Sequence, residues 1–167
     1  MSRAARIKYE HASAVISDCG IYRYQLERRW GDGKVVLWLM LNPSTADGRD
    51  DDPTIRRCVD FSVRWGYAGL LVGNLFALRA TDPRELARHP DPVGPRNAWN
   101  LSLMAVRASV VVAAWGGHGK ALPAYSHQVL DGLSAFKSFM CLGRTQSGAP
   151  RHPLYLPATT QLEEFAP

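Results

Sequence analysis

The sequence predicts a single α/β domain, in which a central, mostly parallel sheet of four strands is flanked by helices. Short apolar runs rich in branched residues alternate with amphipathic segments, and a polar loop follows nearly every run. Strands that alternate with helices pack through right-handed crossovers, which produce a parallel sheet. The chain has 167 residues, of which 46% are hydrophobic, and this length suits one packed domain.

Four continuous apolar runs are the predicted strands of the central sheet. Their length and their branched residues are typical of strands buried on both faces. They span residues 35–41, 69–73, 110–115 and 138–142.

A β-hairpin is predicted at the edge of this sheet, with strands over residues 13–17 and 21–30 and a turn at 18–20. The second strand alternates between two kinds of residue, which predicts one buried and one solvated face. The apolar set is Tyr22, Tyr24 and Leu26, and the polar set is Arg23, Gln25 and Glu27.

Three helices are predicted between the strands, over residues 53–65, 95–107 and 123–135. The first has the clearest ends, because Asp52 is a suitable N-cap and Pro53 a favourable first helical residue.

Composition narrows the classes of function. Three distant cysteines argue against a disulfide framework, a zinc site or an iron–sulfur cluster, so we expect no metal and no cofactor. No apolar run reaches the ~18 residues of a membrane helix, and no secretory signal is visible. We therefore expect a cytoplasmic protein without membrane contact. Because nothing in the sequence resembles a coiled coil, we expect a monomer.

Charge favours a polyanionic partner. The formal net charge is +5, and because only four of the 20 basic residues are lysines, sixteen are arginines. Arginine suits bidentate contacts to phosphate, which favours a nucleic acid, DNA or RNA, as the polyanionic partner.

Candidate site residues follow the predicted strands. Ligands of open α/β sheets bind beyond the carboxyl ends of the strands, so these loops should converge on one cleft. They begin with Asn42-Pro43-Ser44, Asn74-Leu75-Phe76, Trp115-Gly116-Gly117-His118 and, after a spacer, His152-Pro153-Leu154.

The motifs at these strand ends are similar to those of two families. "LNPSTAD", "DPTIRR", "NLFALRATDP" and "PRHPLYL" resemble a bacterial and phage family known as domain of unknown function 1643. "LWLMLNPS", "LLVGNLFALRAT", "VVVAAWGGHGK" and "RHPLYLP" resemble the motifs of the uracil-DNA glycosylase superfamily in order and residue type. The second resemblance implies a glycosylase-like fold, single- or double-stranded DNA as the partner, and hydrolysis of a base–sugar bond.

Three positions depart from the glycosylase pattern. Ser44 stands where the strict uracil enzymes carry a bulky tyrosine, which leaves room for a modified pyrimidine. Asn42 replaces an aspartate, which removes a candidate base and implies slower catalysis. Leu154 replaces the serine that usually follows His-Pro, which weakens the expected phosphate contact.

Hydrolysis of a base–sugar bond needs a positioned water, a donor to the departing base and a group that recognises the flipped base. Asn42 is predicted to orient the water and His152 to donate to the base oxygen. Pro43, Ser44, Asn74, Phe76 and Trp115 are the predicted substrate-binding residues. The predicted nucleic-acid contacts are Arg56, Arg57, Gly116, Gly117, His118, Lys120 and Arg151.

Other interpretations stay open from the sequence. Asn42 and Asn74 also suit loop capping, His152 a bond to backbone, and Phe76 the core. The protein as a whole also suits a reader that binds modified bases or nucleotides without cleaving them. A metal-dependent nuclease or phosphohydrolase is the third alternative, with Asp47, Asp50, Asp51 and Asp52 as ligands.

Overall fold

A computed structural model describes residues 7–117, 123–135 and 137–166. Within these residues one mixed sheet of seven strands runs in the order β1-β2-β4-β3-β5-β6-β7. The strands are β1 (His11–Ile16), β2 (Arg23–Arg29), β3 (Val35–Met40), β4 (Gly69–Asn74), β5 (Val110–Ala113), β6 (Phe139–Cys141) and β7 (Glu163–Glu164).

The α/β class and the edge hairpin are confirmed, whereas the predicted central sheet of four, mostly parallel strands is a mixed sheet of seven strands in the structure. Four neighbouring strands, β4, β3, β5 and β6, pair in parallel. The hairpin of β1 and β2 extends the same sheet, because β2 pairs antiparallel with β4. Strand β7 pairs antiparallel with β6 and has only two residues, too few for a recognisable pattern.

Four α-helices lie among the described residues, together with a 3-10 turn over Pro153–Tyr155. They are α1 (Pro53–Arg64), α2 (Arg84–Arg88), α3 (Asn97–Arg107) and α4 (Pro123–Ser134). The three long ones agree with prediction to within two residues at each end. Helix α2 was missed because its five residues are too few to show a helical period.

The helices cover both faces of the sheet. Helix α1 buries Ile55, Cys58, Val59 and Phe61 against one face, which also holds Trp38. Helices α3 and α4 pack on the other face. Gly73 of β4 lets α3 approach closely, since a Cβ there would lie 2.5 Å from Leu101 Cδ2. Each fully buried aliphatic or aromatic side chain contributes roughly 1.5–3 kcal/mol.

A β-bulge in the hairpin changes the orientation of one side chain. Val15 pairs with Gln25 and Ile16 with Arg23, so Tyr24 is an extra residue in β2. The predicted alternation of buried and solvated side chains in β2 therefore fails at this point. Tyr24 packs in the core on the α3 side, whereas Arg23 is buried on the α1 side, where it donates to the carbonyl of Ala46. The prediction of a solvated Arg23 was wrong, because a bulge shifts the period of two by one residue.

Among the described residues, no helix combines the length and the apolar character needed to cross a bilayer.

Candidate functional site

A cleft of about 550 Å³ opens at the carboxyl edge of the parallel strands. Residues from the ends of β3 and β4, from the loop after β5 and from the loop before the 3-10 turn line it together. Of the predicted site residues, the cleft brings together Asn42, Ser44, Asn74, Trp115, Gly116, Gly117, Arg151 and His152. The topological prediction of a shared crevice therefore agrees with the geometry.

Asn42 follows β3 and holds the start of its loop. Its Nδ2 donates to the carbonyl oxygens of Pro43, at 3.0 Å, and Ala80, at 2.8 Å. Two carbonyl acceptors fix the amide orientation, since the amide oxygen cannot take either position. Both amide hydrogens are thus used by the loop, and Oδ1 is the atom of Asn42 suited to accept a hydrogen bond from a ligand or water.

His152 precedes the 3-10 turn and caps it. Its Nδ1 accepts a hydrogen bond from the backbone N–H of Leu154 at 3.2 Å. An accepting Nδ1 carries no proton, so the neutral imidazole carries it on Nε2. Gly116 packs beside this residue with a φ of +76°, and a Cβ there would lie 3.4 Å from the Cβ of His152. Its positive φ favours glycine at this turn, because a residue with a side chain would be strained there.

Asn74 and Arg23 meet at the floor of the cleft. Asn74 ends β4 and is 2% exposed, and Arg23 begins β2 and is 3% exposed. Because β2 runs antiparallel to β4, its first residue lies at the same edge of the sheet as the last residue of β4. Arg23 Nη2 lies 3.5 Å from Asn74 Oδ1, and Nη1 donates to the carbonyl of Ala46 at 2.8 Å.

The Arg23 guanidinium remains positively charged at neutral pH. Burial lowers its pKa to about 10, with Asp52 opposing the shift. The described residues place no carboxylate within ion-pair distance of it, and its Nε is buried without a hydrogen-bond partner. The cleft floor therefore holds a positive charge that no described carboxylate contacts directly, while Asp52 acts on it at longer range.

Two predicted substrate-binding residues do not line the cleft. Phe76 is 6% exposed and belongs to the core on the α3 side. Pro43 is buried, and its carbonyl accepts from Asn42 and from the backbone N–H of Ala80. Phe76 therefore packs in the core, and the carbonyl of Pro43 holds the loop after β3.

The predicted nucleic-acid contacts separate into three groups. Arg151, Gly116 and Gly117 line the cleft. Arg57 is half-buried, lies over the ring of Phe61 and donates to the carbonyl of Leu156, which ties α1 to the loop after the 3-10 turn. Arg56 is exposed and donates to the carbonyl of Asp51. His118 and Lys120 lie outside the described residues.

The aspartates of the alternative metal site have separate partners. Asp47 accepts from the N–H groups of Arg49 and Asp50, which lowers its pKa, and Asp52 caps α1 through the N–H of Ile55 at 2.9 Å. Asp51 pairs with Arg28 at 2.8 Å. The described histidines, cysteines and acids form no group of three that could hold a metal ion.

Among the cleft residues that the sequence prediction missed, Arg23 and Tyr155 have side chains suited to bind a ligand. Arg23 was missed because nothing local marks the bulge. Tyr155 lies at the cleft rim and is 90% exposed, which is unusual for an aromatic side chain. An aromatic residue in the "PLYLP" loop was the available signal for it.

Fold and site together define an α/β protein with an open, positively charged cleft at the carboxyl edge of its sheet. One comparison with known proteins shows the family. A family model described as "Protein of unknown function (DUF1643)" matches residues 23–154, which include almost all of the residues that line the cleft. The chain belongs to the DUF1643 family. No curated protein and no solved structure matches it.

Proposed function

We propose that this protein is a DNA glycosylase-like hydrolase, which cleaves the N-glycosidic bond of a damaged or modified pyrimidine without a metal. The observation that carries the proposal is the convergence of Asn42, Asn74 and His152 on one cleft. The resemblance of the four strand-end motifs to the uracil-DNA glycosylase superfamily gives these residues their roles.

The chemistry demands a donor where negative charge develops on the departing base. In the tautomer fixed by the N–H of Leu154, His152 presents Nε2–H as such a donor. Asn42 Oδ1 is suited to orient a water for attack on the sugar, although an amide oxygen hardly deprotonates it. Asn74 supplies a donor and an acceptor for the Watson–Crick edge of the flipped base.

The surroundings of the cleft suit a nucleic acid. Arg151 lines the cleft and is exposed, so its guanidinium can reach a phosphate. Tyr155 at the rim offers a face for stacking against an unpaired base. The small side chain of Ser44 leaves space for a substituent at the 5-position of the ring.

The test uses oligonucleotides that carry uracil, 5-hydroxymethyluracil or related bases, single- and double-stranded, with EDTA present. Abasic sites are detected as alkali-labile breaks. His152→Asn removes the imidazole but keeps an N-cap oxygen for Leu154. Loss of one such donor is expected to slow cleavage roughly 10²–10³-fold.

The matched control is His127→Asn, which makes the same substitution on an exposed face of α4 and should leave the rate unchanged. The proposal fails if no base yields abasic sites, if His152→Asn cleaves at the wild-type rate, or if EDTA abolishes cleavage.

One observation favours a second function, that of a reader that binds modified bases without cleaving them. Among the described lining residues Asp52 is the one carboxylate, and its Oδ1 already caps α1. The cleft is thus better equipped to bind a base than to activate water. Tight binding of a modified oligonucleotide without abasic sites would support the reader.

A further inference from the structure

The cleft floor contains a buried cation that the described residues satisfy only in part. Arg23 makes one short hydrogen bond, from Nη1 to the carbonyl of Ala46, and one long contact, to Asn74 Oδ1 at 3.5 Å. Its Nε is buried without a partner among the described residues. A buried charge without a counter-ion destabilises a fold, so this arrangement requires a reason outside the fold.

The bulge at Tyr24 is what points Arg23 into the cleft. Without the extra residue, a strict alternation would place Arg23 on the same face as Gln25 and Glu27, on the α3 side. Those two residues do face α3, where Gln25 bonds Asn100 and Glu27 pairs with Arg107. Bulges beside functional sites commonly redirect one side chain in this way.

The rest of the cleft determines which anion would suit Arg23. Phosphate needs several donors around a tetrahedral group, whereas the neighbours of Arg23 include two acceptors, Asn74 Oδ1 and the Asp52 carboxylate. The walls are largely apolar, with Met40, Ile55, Val72, Trp115, Leu154 and Leu156. Such walls fit a flat ring whose negative charge is delocalised, and a guanidinium, planar and weakly hydrated, matches that charge.

We propose that Arg23 binds a lactam oxygen of a pyrimidine base anion, and so stabilises the leaving group of the reaction. This inference rests on the proposed function. When the bond between the sugar and the base breaks, its electron pair stays on the base and spreads onto the ring oxygens. Water adds to the sugar carbon and loses its proton to solvent, and the base anion takes up a proton after release. Arg23 lowers the energy of the anion by a charge-assisted hydrogen bond.

The test measures the binding of free bases, which requires no cleavage. A 5-nitro group acidifies the ring N–H of uracil, so that 5-nitrouracil is an anion at neutral to mildly alkaline pH, whereas thymine stays neutral. Calorimetry compares the two ligands on wild type, Arg23→Met, Arg23→Lys and Arg79→Met. Arg79 is the matched control, because it is a nearby arginine outside the cleft lining that donates to the carbonyl of Gly20.

Wild type and Arg79→Met should prefer the anion roughly 10- to 100-fold, the value of one charged hydrogen bond. Arg23→Met should lose this preference, and Arg23→Lys should keep part of it. The melting temperature of Arg23→Met should equal or exceed that of wild type, because a residue that holds the fold together would lower it.

Three results would overturn the inference. The first is that wild type shows no preference for the anion, and the second is that Arg23→Met retains the preference. The third is that inorganic phosphate displaces the base anion only when Arg23 is present, because the cation would then belong to a phosphate site. A protein that prefers the anion through Arg23 but forms no abasic sites would keep this assignment and remove the proposed hydrolysis. Failure of the two proposals is thus distinguishable.

Discussion

Two arginines of β2, five residues apart and buried on the same face of the sheet, differ in what surrounds them. Arg28 is fully buried and surrounded by acceptors. Its Nε pairs with Asp51, Nη1 donates to the carbonyl of Glu27 at 2.9 Å and Nη2 to that of Asp47 at 2.5 Å. Arg23 has one short hydrogen bond and no carboxylate partner among the described residues.

The difference in hydrogen-bond partners distinguishes an arginine that stabilises the fold from one that is suited to bind a ligand. Arg28 joins β2 to the loop before α1, and its neutralised guanidinium leaves no capacity for a ligand. Arg23 keeps a positive charge and an unused donor at the floor of a cleft. The number of satisfied donors, rather than burial alone, indicates which buried arginine belongs to a site.

The largest effect should follow from Arg28→Met. Methionine fills a similar volume but leaves the Asp51 carboxylate without its cation and removes a donor from four backbone carbonyls. Removal of one partner of a buried ion pair costs about 3–5 kcal/mol. Urea unfolding followed by circular dichroism measures this loss.

Arg29→Met is the control for that experiment, because Arg29 is the next residue and its bond to the carbonyl of Gly33 is exposed. It should change the free energy of unfolding by less than about 0.5 kcal/mol. Equal losses in the two variants would contradict the structural role of Arg28. A loss in Arg23→Met as large as that in Arg28→Met would contradict the distinction between the two arginines.

A smaller effect on stability is expected at Tyr9, because its hydroxyl bonds the same carboxylate, Asp51, that pairs with Arg28. Its hydroxyl donates to Asp51 at 2.5 Å, and burial, with this bond, raises the pKa of Tyr9 well above its usual value near 10. Above pH 10 the unfolded chain loses this proton while the folded protein keeps it, so stability falls as pH rises. The lowered pKa of Arg23 acts in the opposite direction, since the folded protein loses that proton first.

Tyr9→Phe should cost about 1 kcal/mol at neutral pH, the value of one hydrogen bond, and should reduce the alkaline loss of stability. Burial also raises the pKa of Tyr22 and Tyr67, so part of the loss will remain. Tyr155→Phe, at a 90% exposed position, is the control. Parallel pH–stability curves for wild type and Tyr9→Phe from pH 8 to 11 would refute the assignment.

The smallest effect concerns a third kind of arginine, exposed on the surface. Arg56 bonds the carbonyl of Asp51 at 2.6 Å and otherwise faces solvent. Arg56→Gln should leave stability within about 0.5 kcal/mol of wild type and reduce the slope of log affinity for DNA against log salt by about 1. Filter binding over a range of salt concentrations measures the slope, and an unchanged slope would remove Arg56 from the interface.

Much of the architecture could be predicted from local patterns. The apolar runs that became β3 and β4 are continuous, and the Asp52-Pro53 pair marks the start of α1, so chemistry near each residue sufficed. Strand β7 and helix α2 could not be predicted, because elements of two and five residues gain their stability from the neighbours they pair with or pack on.

The candidate site was predictable wherever topology alone brings residues together. Asn42, Asn74 and His152 follow strands or precede a turn at one edge of the sheet, so their convergence followed from the strand order. Phe76 was misplaced because a side chain after a strand can point to the core as easily as to the cleft, and its direction depends on local backbone torsion.

The sequence by itself determined the α/β class, the edge hairpin and the polar residues at the cleft, because hydrophobic period and turn chemistry act over a few residues. Tertiary structure alone decided that Arg28 meets Asp51, while Arg23 lines the cleft without a carboxylate partner among the described residues. The physical reason is the extra residue at Tyr24. One inserted residue moves the side chains before it in the strand to the opposite face of the sheet, and no local sequence pattern indicates what each of them contacts on that face.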